Sequence, residues 1–337
     1  MDQGFDHYFG DNVINFPPYC WIEDDKVTQV PDRMISQDVA RPKEGTISYR
    51  PGPAVKDWDP YENIPLTTQH GVDFIMAQAK IDSPFFLYFA FPSPHAPIIP
   101  NDEFDGKSKA GPYGDFVFET DDACGRLLKA LDESGQAENT IVVFTADNGP
   151  EKFAYAREEQ TGHWSSYPFR GLKRDIYEGG HHVPWIVRWP GKVEADSTCE
   201  ALVSQVDLLA TFAAITDYEL SKDGAEDSYN LLPLLNQTAK SVRQTHIHNT
   251  RKGQYAIRDG DWLLVDSKHG YVTARNKAWE KRHAYPADNE SSVELYHLKK
   301  DIEQKNDVAE DYPEKVVALQ NRLKQIREQG HSAPRFK

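Results

Sequence analysis

Asp147-Asn148-Gly149 and Lys173 are the residues whose types and order point to chemistry. A carboxylate and an amide oxygen side by side are hard donors of the kind a hard cation takes. They follow residues 141–144, an apolar, β-branched run that reads as a buried strand because it is short and ends at turn residues. In open α/β sheets the carboxyl ends of strands face the ligand crevice, so donors placed there can be ligands. Asp-Asn-Gly is equally the composition of a tight turn. Lys173 follows a glycine-containing turn and precedes Glu178-Gly179-Gly180, which frees the backbone to double back into a second apolar run, 183–189. If Asp147 and Asn148 hold a cation and Lys173 points at the same crevice, positive charge is concentrated there, and the site suits an oxyanion.

The elements that must position these groups are legible from periodicity. Residues 67–80 carry Val72, Ile75, Met76 and Ala79 at helical spacing, and 84–91 form a continuous apolar run that fits a central strand buried on both faces. That run ends in Pro92-Ser93-Pro94-His95-Ala96-Pro97, where flanking prolines restrict the backbone around His95. A second helix is predicted over 115–132, with Cys124 on its inner stripe, and the strand at 141 then completes a β-α-β crossover. The fold expected is therefore α/β, a doubly wound and mostly parallel sheet flanked by helices. Residues 204–215 add another covering helix. Short strands at 246–249, 254–258, 262–266 and 293–298, a hairpin turn at Asp259-Gly260 and a helix over 313–328 predict a small C-terminal antiparallel sheet with a terminal helix. The division expected is a partial catalytic α/β domain, 1–240, and a small α+β subdomain, 241–337. Residues 11–70 read as an irregular surface excursion.

With 53 acidic against 38 basic side chains in 337 residues, the formal charge of -15 argues against nucleic acid as a partner. It leaves an anionic substrate open, because exposed charges beyond about 8–10 Å are screened while a local cation and lysine act at contact range. No apolar run is long enough for a membrane span, and the first residues lack the basic and apolar regions of a signal peptide. Between 150 and 169, His163 and Trp164 could line a pocket for a sugar or aromatic ring, or simply pack a loop. His246 and His248 could share one strand face, but no third ligand stands nearby in sequence, which favours a structural or substrate-rim role over zinc.

The ordered block Thr145-Ala146-Asp147-Asn148-Gly149-Pro150, then Gly171-Leu172-Lys173, then Glu178-Gly179-Gly180 and Pro184, resembles the sulfatase family of the alkaline phosphatase superfamily. The opening residues 1–10 resemble a Gly-Phe-Asp segment that lies well inside sulfatases. The resemblance runs from about residue 4 to the end of the chain. It implies an alkaline-phosphatase-like fold and hydrolysis of sulfate esters of carbohydrates or aryl compounds. It further implies catalytic and sulfate-binding roles for His95 and Lys173, and Ca²⁺ held by Asp147 and Asn148. The family's nucleophile is a formylglycine made from the Cys or Ser of a Cys-x-Pro-x-Arg motif. Cys20-Trp21-Ile22, Cys124-Gly125-Arg126 and Cys199-Glu200-Ala201 do not begin that motif. The expectation is a sulfatase fragment, or a gene model started late, whose calcium ligand set is incomplete and whose nucleophile is not encoded here. An open sheet edge would then favour association. The resemblance also implies a periplasmic or extracellular location. Two alternatives stay open: a phosphate or phosphonate monoester hydrolase of the same superfamily, and a non-catalytic remnant that binds sulfated glycans.

Overall fold

The computed structural model describes residues 4–221, 223–268, 270–286 and 291–334. Met1 to Gln3, the start of the glycine-containing segment singled out above, lie outside the described residues. The chain forms two compact units, Met1–Thr140 with Ala156–His163, and Ile141–Tyr155 with Trp164–Lys337.

In the first unit, five short strands precede the helices: β1 (Phe9–Gly10), β2 (Ile22–Glu23) and β3 (Lys26–Val27) form one small antiparallel sheet, and β4 (Arg33–Ile35) pairs with β5 (Gly52–Ala54). This region is less irregular than its composition suggests. Its aromatic residues make a core of their own, with Tyr19, Tyr49 and Trp58 all buried and their rings in contact. Helix α1 (Asn63–Gln78) buries Ile64, Thr68, Gly71 and Ile75, a stripe at steps of three and four residues, while α2 (Gly111–Glu133) buries Phe116, Ala123 and Ala130. The two helices meet near Gly71, where a Cβ would stand 2.8 Å from a Leu127 methyl carbon and 2.7 Å from the Phe89 ring. Cys124, expected on the inner stripe, is half-buried. Helix α3 (Ala154–Thr161) contributes its residues from 156 onward.

The apolar run 84–91 departs from expectation. It is extended, but among the described residues it joins no sheet, and its exposure alternates: Phe85, Leu87, Phe89 and Phe91 are half-buried while Phe86 and Tyr88 are 61% and 72% exposed. Apolar composition fixes an extended, period-two backbone. It does not supply the neighbouring strand that burial on both faces requires.

In the second unit, β6 (Val142–Thr145) and β7 (Trp185–Arg188) are the two strands anticipated around the polar insert. They pair antiparallel, Val143 opposite Val187, rather than as neighbours in a parallel ladder. Each has its other edge open among the described residues, and Phe144 and Ile186 are 41% and 60% exposed. One-turn helix α4 (Glu178–His181), α5 (Asp207–Ile215) and one-turn α6 (Leu232–Leu235) follow in and after this region.

The C-terminal sheet forms as expected from β8 (Thr245–Asn249), β9 (Tyr255–Asp259), β10 (Trp262–Asp266) and β11 (Glu294–His297), in the order β11-β10-β9-β8. Gly260, with φ +57°, takes the left-handed turn between β9 and β10 that an L side chain resists. Leu264, Ile257 and Leu295 face helix α8 (Pro313–Gln329) through Val316, Leu319 and Leu323. Leu263, Val265 and Ala256 face the other way, onto Ile176, Tyr177 and Tyr271. Each such leucine, fully buried, contributes roughly 1.5–3 kcal/mol, so the segment just after Lys173 is packed on a rigid platform. Helix α7 (Lys277–Arg282) is capped by Asn276, whose side chain accepts from the Trp279 N–H.

Candidate active site

The second unit assembles three of the residues singled out above. Strand β6 ends at Thr145, and the next carbonyl, Ala146, accepts a hydrogen bond of 2.6 Å from the Gln205 amide. Asp147 then projects as an exposed carboxylate, and Asn148 is half-buried, its amide N–H donating to Gly149 O at 3.2 Å. Gly149 returns the chain toward the Glu178-Gly179-Gly180 turn, donating to Gly180 O at 3.1 Å. The two turns touch backbone to backbone: a Cβ on Gly149 would overlap the Gly179 carbonyl oxygen. Immediately after, Pro150 O accepts the Lys173 N–H at 2.8 Å. Asp147, Asn148 and Lys173 therefore belong to one loop cluster at the carboxyl end of β6.

Charge in this cluster is arranged around Glu151. Its carboxylate takes two hydrogen bonds from Arg174, at 3.0 and 3.2 Å, and one of 2.9 Å from the Lys152 N–H. Burial alone would raise its pKa. The Arg174 hydrogen bonds, the Lys152 N–H and the charges of Arg174 and Lys173 outweigh burial and hold it below the ordinary range. The Lys173 side chain is half-buried, and its ammonium acts electrostatically on the carboxylate.

His95 and His163 lie in the first unit. The His95 loop is anchored by a 2.6 Å hydroxyl–hydroxyl hydrogen bond between buried Ser93 and Thr120 of α2, and the imidazole itself is exposed. Nδ1 stands 2.6 Å from Ala96 O, which fixes Nδ1 as the protonated nitrogen. His163 is exposed after α3, near the buried Arg157–Glu44 pair, whose nitrogen and oxygen are 2.6 Å apart. Partial burial and the Arg157 charge lower its pKa. Trp164 is a packing residue rather than a free platform: it stacks on buried Trp279 with ring centroids 4.2 Å apart and lies against Tyr155.

Among the described residues, no three or more His, Cys, Asp or Glu side chains converge as a metal cluster. Asp147 and Asn148 nonetheless fit a hard cation in part, since the carboxylate is exposed and the Asn148 amide oxygen is not consumed by the bond its nitrogen makes. His246 and His248 do lie on one strand face. His248 Nε2 donates to Ile176 O at 2.9 Å, and its ring centroid is 4.3 Å from that of His181 and 6.0 Å from that of His246. Burial, with the neighbouring imidazole and, for His246, Arg243, pushes His181 and His246 down to about 3. These are neutral, packed imidazoles.

Sequence reasoning passed over one pentapeptide. Ser166-Tyr167-Pro168-Phe169-Arg170 has the Ser-x-Pro-x-Arg order of the nucleophile motif, so that order is present in the chain after all. Its geometry is that of a structural turn. Ser166 is buried, and its hydroxyl lies 3.3 Å from Phe169 O and 3.2 Å from Gly171 O. Arg170 is buried as well: Nε donates to the Tyr271 hydroxyl at 2.7 Å, and Nη1 donates to the Tyr296 hydroxyl at 2.8 Å and to Gln304 O at 3.0 Å. A search of the cysteines alone could not find it. A scan for serine in the same frame would have.

Comparison with known proteins gives the family and the fold. The sulfatase family profile matches residues 2–218, and a profile described as N-sulphoglucosamine sulphohydrolase, C-terminal, matches 171–329. An N-acetylgalactosamine-6-O-sulfatase of Bacteroides thetaiotaomicron is 32% identical over 274 residues, 80% of this chain and 52% of that protein. Human N-acetylgalactosamine-6-sulfatase is 35% identical over 253 residues, 70% of this chain and 43% of that protein. The chain thus spans about half the length of the curated relatives it matches. A solved structure from work on the metabolism of multiple glycosaminoglycans by Bacteroides thetaiotaomicron superposes with a TM-score of 0.79 at 26% identity, covering 97% of this chain and 74% of its own. The PsFucS1 sulfatase from Pseudoalteromonas sp. gives 0.66 at 26%, covering 79% and 52%. The fold is accordingly the alkaline-phosphatase-like α/β fold of these enzymes with its C-terminal antiparallel sheet, and the chain belongs to the sulfatase family.

Proposed function

We propose that this chain is a portion of a sulfuric ester hydrolase acting on sulfated carbohydrate or aryl sulfate. The observation that carries the proposal is the apposition of the Asp147-Asn148-Gly149 turn to Gly179 and Gly180, with the Lys173 N–H bonded to Pro150 O. It supports the reading because Asp147, Asn148 and the Lys173 backbone share one loop cluster. In this reading Lys173 and His95 bind the sulfate oxygens and act in catalysis, His163 contacts the rest of the substrate, and Asp147 and Asn148 would supply two of the roughly 6–8 oxygen ligands of Ca²⁺. Calcium, when bound, would stabilise charge on the sulfate oxygens. A preorganised lysine contributes most where charge grows in the transition state. The formylglycine nucleophile expected of the family is assigned to no residue of this chain.

The relatives' names, N-acetylgalactosamine-6-O-sulfatase and N-acetylgalactosamine-6-sulfatase, make 6-sulfated N-acetylgalactosamine the first substrate to try. A periplasmic or extracellular place of action, and a functional division into a catalytic domain over residues 1–240 and a C-terminal subdomain over 241–337, belong to the same proposal. Among the described residues no helix is long and apolar enough to cross a membrane. The test is release of sulfate by a protein that joins this chain to the family's nucleophile segment, assayed beside the matching phosphate monoester. Lys173→Ala is expected to lower turnover about 10²–10³-fold. Undiminished turnover in that variant would remove Lys173 from the mechanism, and faster turnover of the phosphate would replace the proposed reaction.

A further inference from the structure

Lys173 is held by its backbone from two directions. Its N–H donates to Pro150 O at 2.8 Å, and its carbonyl oxygen accepts the Thr273 hydroxyl. Two residues on, Asp175 is fully buried, and its carboxylate accepts three backbone N–H groups: Val272 and Thr273, each at 2.8 Å on Oδ1, and Leu172 at 2.9 Å on Oδ2. The Ile176 N–H donates to Gly270 O at 2.9 Å. Residues 270–273 thus follow the 172–176 loop bond for bond. The same stretch is seated by Tyr271, whose hydroxyl accepts from buried Arg170 and whose ring packs with Leu263 and Val265 of the C-terminal sheet.

A surface loop carrying a lysine needs none of this. Three N–H donors on one buried carboxylate are an arrangement that fixes backbone position, because losing any of them leaves a buried acceptor or donor unsatisfied. A lysine side chain has four rotatable bonds and aims poorly unless its Cα is fixed, and preorganisation of a charged group depends on that anchoring.

We propose that Asp175 and Thr273 are positioning residues for Lys173, and that the segment 270–273, from the C-terminal region, exists to aim that ammonium. The inference rests on the reading of Lys173 as a sulfate-binding group.

The test uses the full chain and reads Lys173 directly. A brief pulse of acetic anhydride followed by peptide mass analysis gives the acylation rate of Lys173, with Lys192 and Lys299 as internal references. Thr273→Val removes the hydroxyl at nearly constant volume and is expected to raise the Lys173 rate about fivefold, the population shift that follows from losing one net hydrogen bond. Thr273→Ser restores the hydroxyl and should return the rate to that of the parent. Asp175→Asn keeps the size but presents an N–H where an acceptor is needed, and should raise the rate further. Should Asp175→Asn fail to fold, the Thr273 pair still decides. An unchanged Lys173 rate in Thr273→Val, or a rise shared equally by Lys192 and Lys299, overturns the proposal.

Millimolar inorganic sulfate separates this inference from the reading beneath it. Protection of Lys173 by sulfate in the parent chain, weakened in Thr273→Val and recovered in Thr273→Ser, supports both. Protection that is identical in all three leaves the sulfate reading standing and overturns the clamp as a functional device. Absence of protection in the parent overturns the sulfate-positioning role even if the clamp controls the rate.

Discussion

Gly149 and Gly179 pack backbone against backbone, with the Gly149 N–H donating to Gly180 O at 3.1 Å and no room for a Cβ between the two turns. This contact is where the donor-bearing turn after β6 meets the Glu-Gly-Gly turn. A methyl group cannot be accommodated by a side-chain rotation, because the atom it meets is a backbone oxygen. Gly149→Ala is expected to lower stability by about 1–3 kcal/mol, the usual cost of overpacking, read from the urea midpoint at constant slope. A shift within experimental scatter would mean that the two turns do not touch in solution.

Arg170 offers a second prediction. It satisfies Tyr271, Tyr296 and Gln304 from one buried guanidinium, which also lies 3.9 Å from the centroid of the Tyr177 ring. Lysine keeps the charge but not the fork of donors, so at least one partner is left without its bond. Arg170→Lys is expected to cost about 2 kcal/mol and Arg170→Met about 3 kcal/mol, since unsatisfied buried groups cost about 1–3 kcal/mol each. Near-equal stability of parent and Arg170→Met would show that these bonds are dispensable.

Acid sensitivity should come from the imidazole group formed by His246 and His248 of β8 with His181 of α4. His181 and His246 are held neutral down to about 3 by burial and by neighbouring charge, and His248 is lowered by burial too. The charged or titratable groups facing them are Glu178, Arg243, Arg258 and one another. The sign follows from proton counting: between pH 6.5 and about 3 the unfolded chain binds protons on these histidines that the folded chain does not. Their stabilising contribution is complete above the unfolded pKa and is lost progressively as pH falls through that window. Urea midpoints measured at pH 7, 6, 5 and 4 should therefore decline below the unperturbed histidine pKa of about 6.5, and His246→Gln should flatten the decline. An identical slope in that variant would assign the acid limb to other groups.

Ser166 is expected to remain serine. Its hydroxyl lies against two carbonyl oxygens in a closed turn, and its Arg170 is locked among tyrosines. Co-expression with a formylglycine-forming enzyme and peptide mass analysis over residues 165–173 should give the unmodified mass. Conversion to the aldehyde, which removes two hydrogens, would make Ser166 a nucleophile candidate and reopen its assignment.

Much of this protein was legible in sequence because its signals are local. The helical stripes of α1, α2 and α8, the hairpin at Asp259-Gly260 and the ordered Asp-Asn-Gly, Gly-x-Lys and Glu-Gly-Gly blocks depend on period and turn chemistry within short windows. The aromatic core around Tyr19, Tyr49 and Trp58 was not legible, since it gathers residues from a Pro-rich stretch with no period.

The sequence by itself determined the family, and the helices and C-terminal strands that local period and turn chemistry specify. Tertiary structure alone decided that β6 and β7 run antiparallel, that residues 84–91 alternate in exposure instead of being buried on both faces, and that half-buried Trp164 packs against Trp279. It also joined Lys173 to Pro150 and Thr273. The physical reason is range: composition and spacing fix backbone tendency over a few residues, whereas strand partners, and hydrogen bonds between residues 23 or 100 positions apart in the chain, exist only once distant segments are packed together.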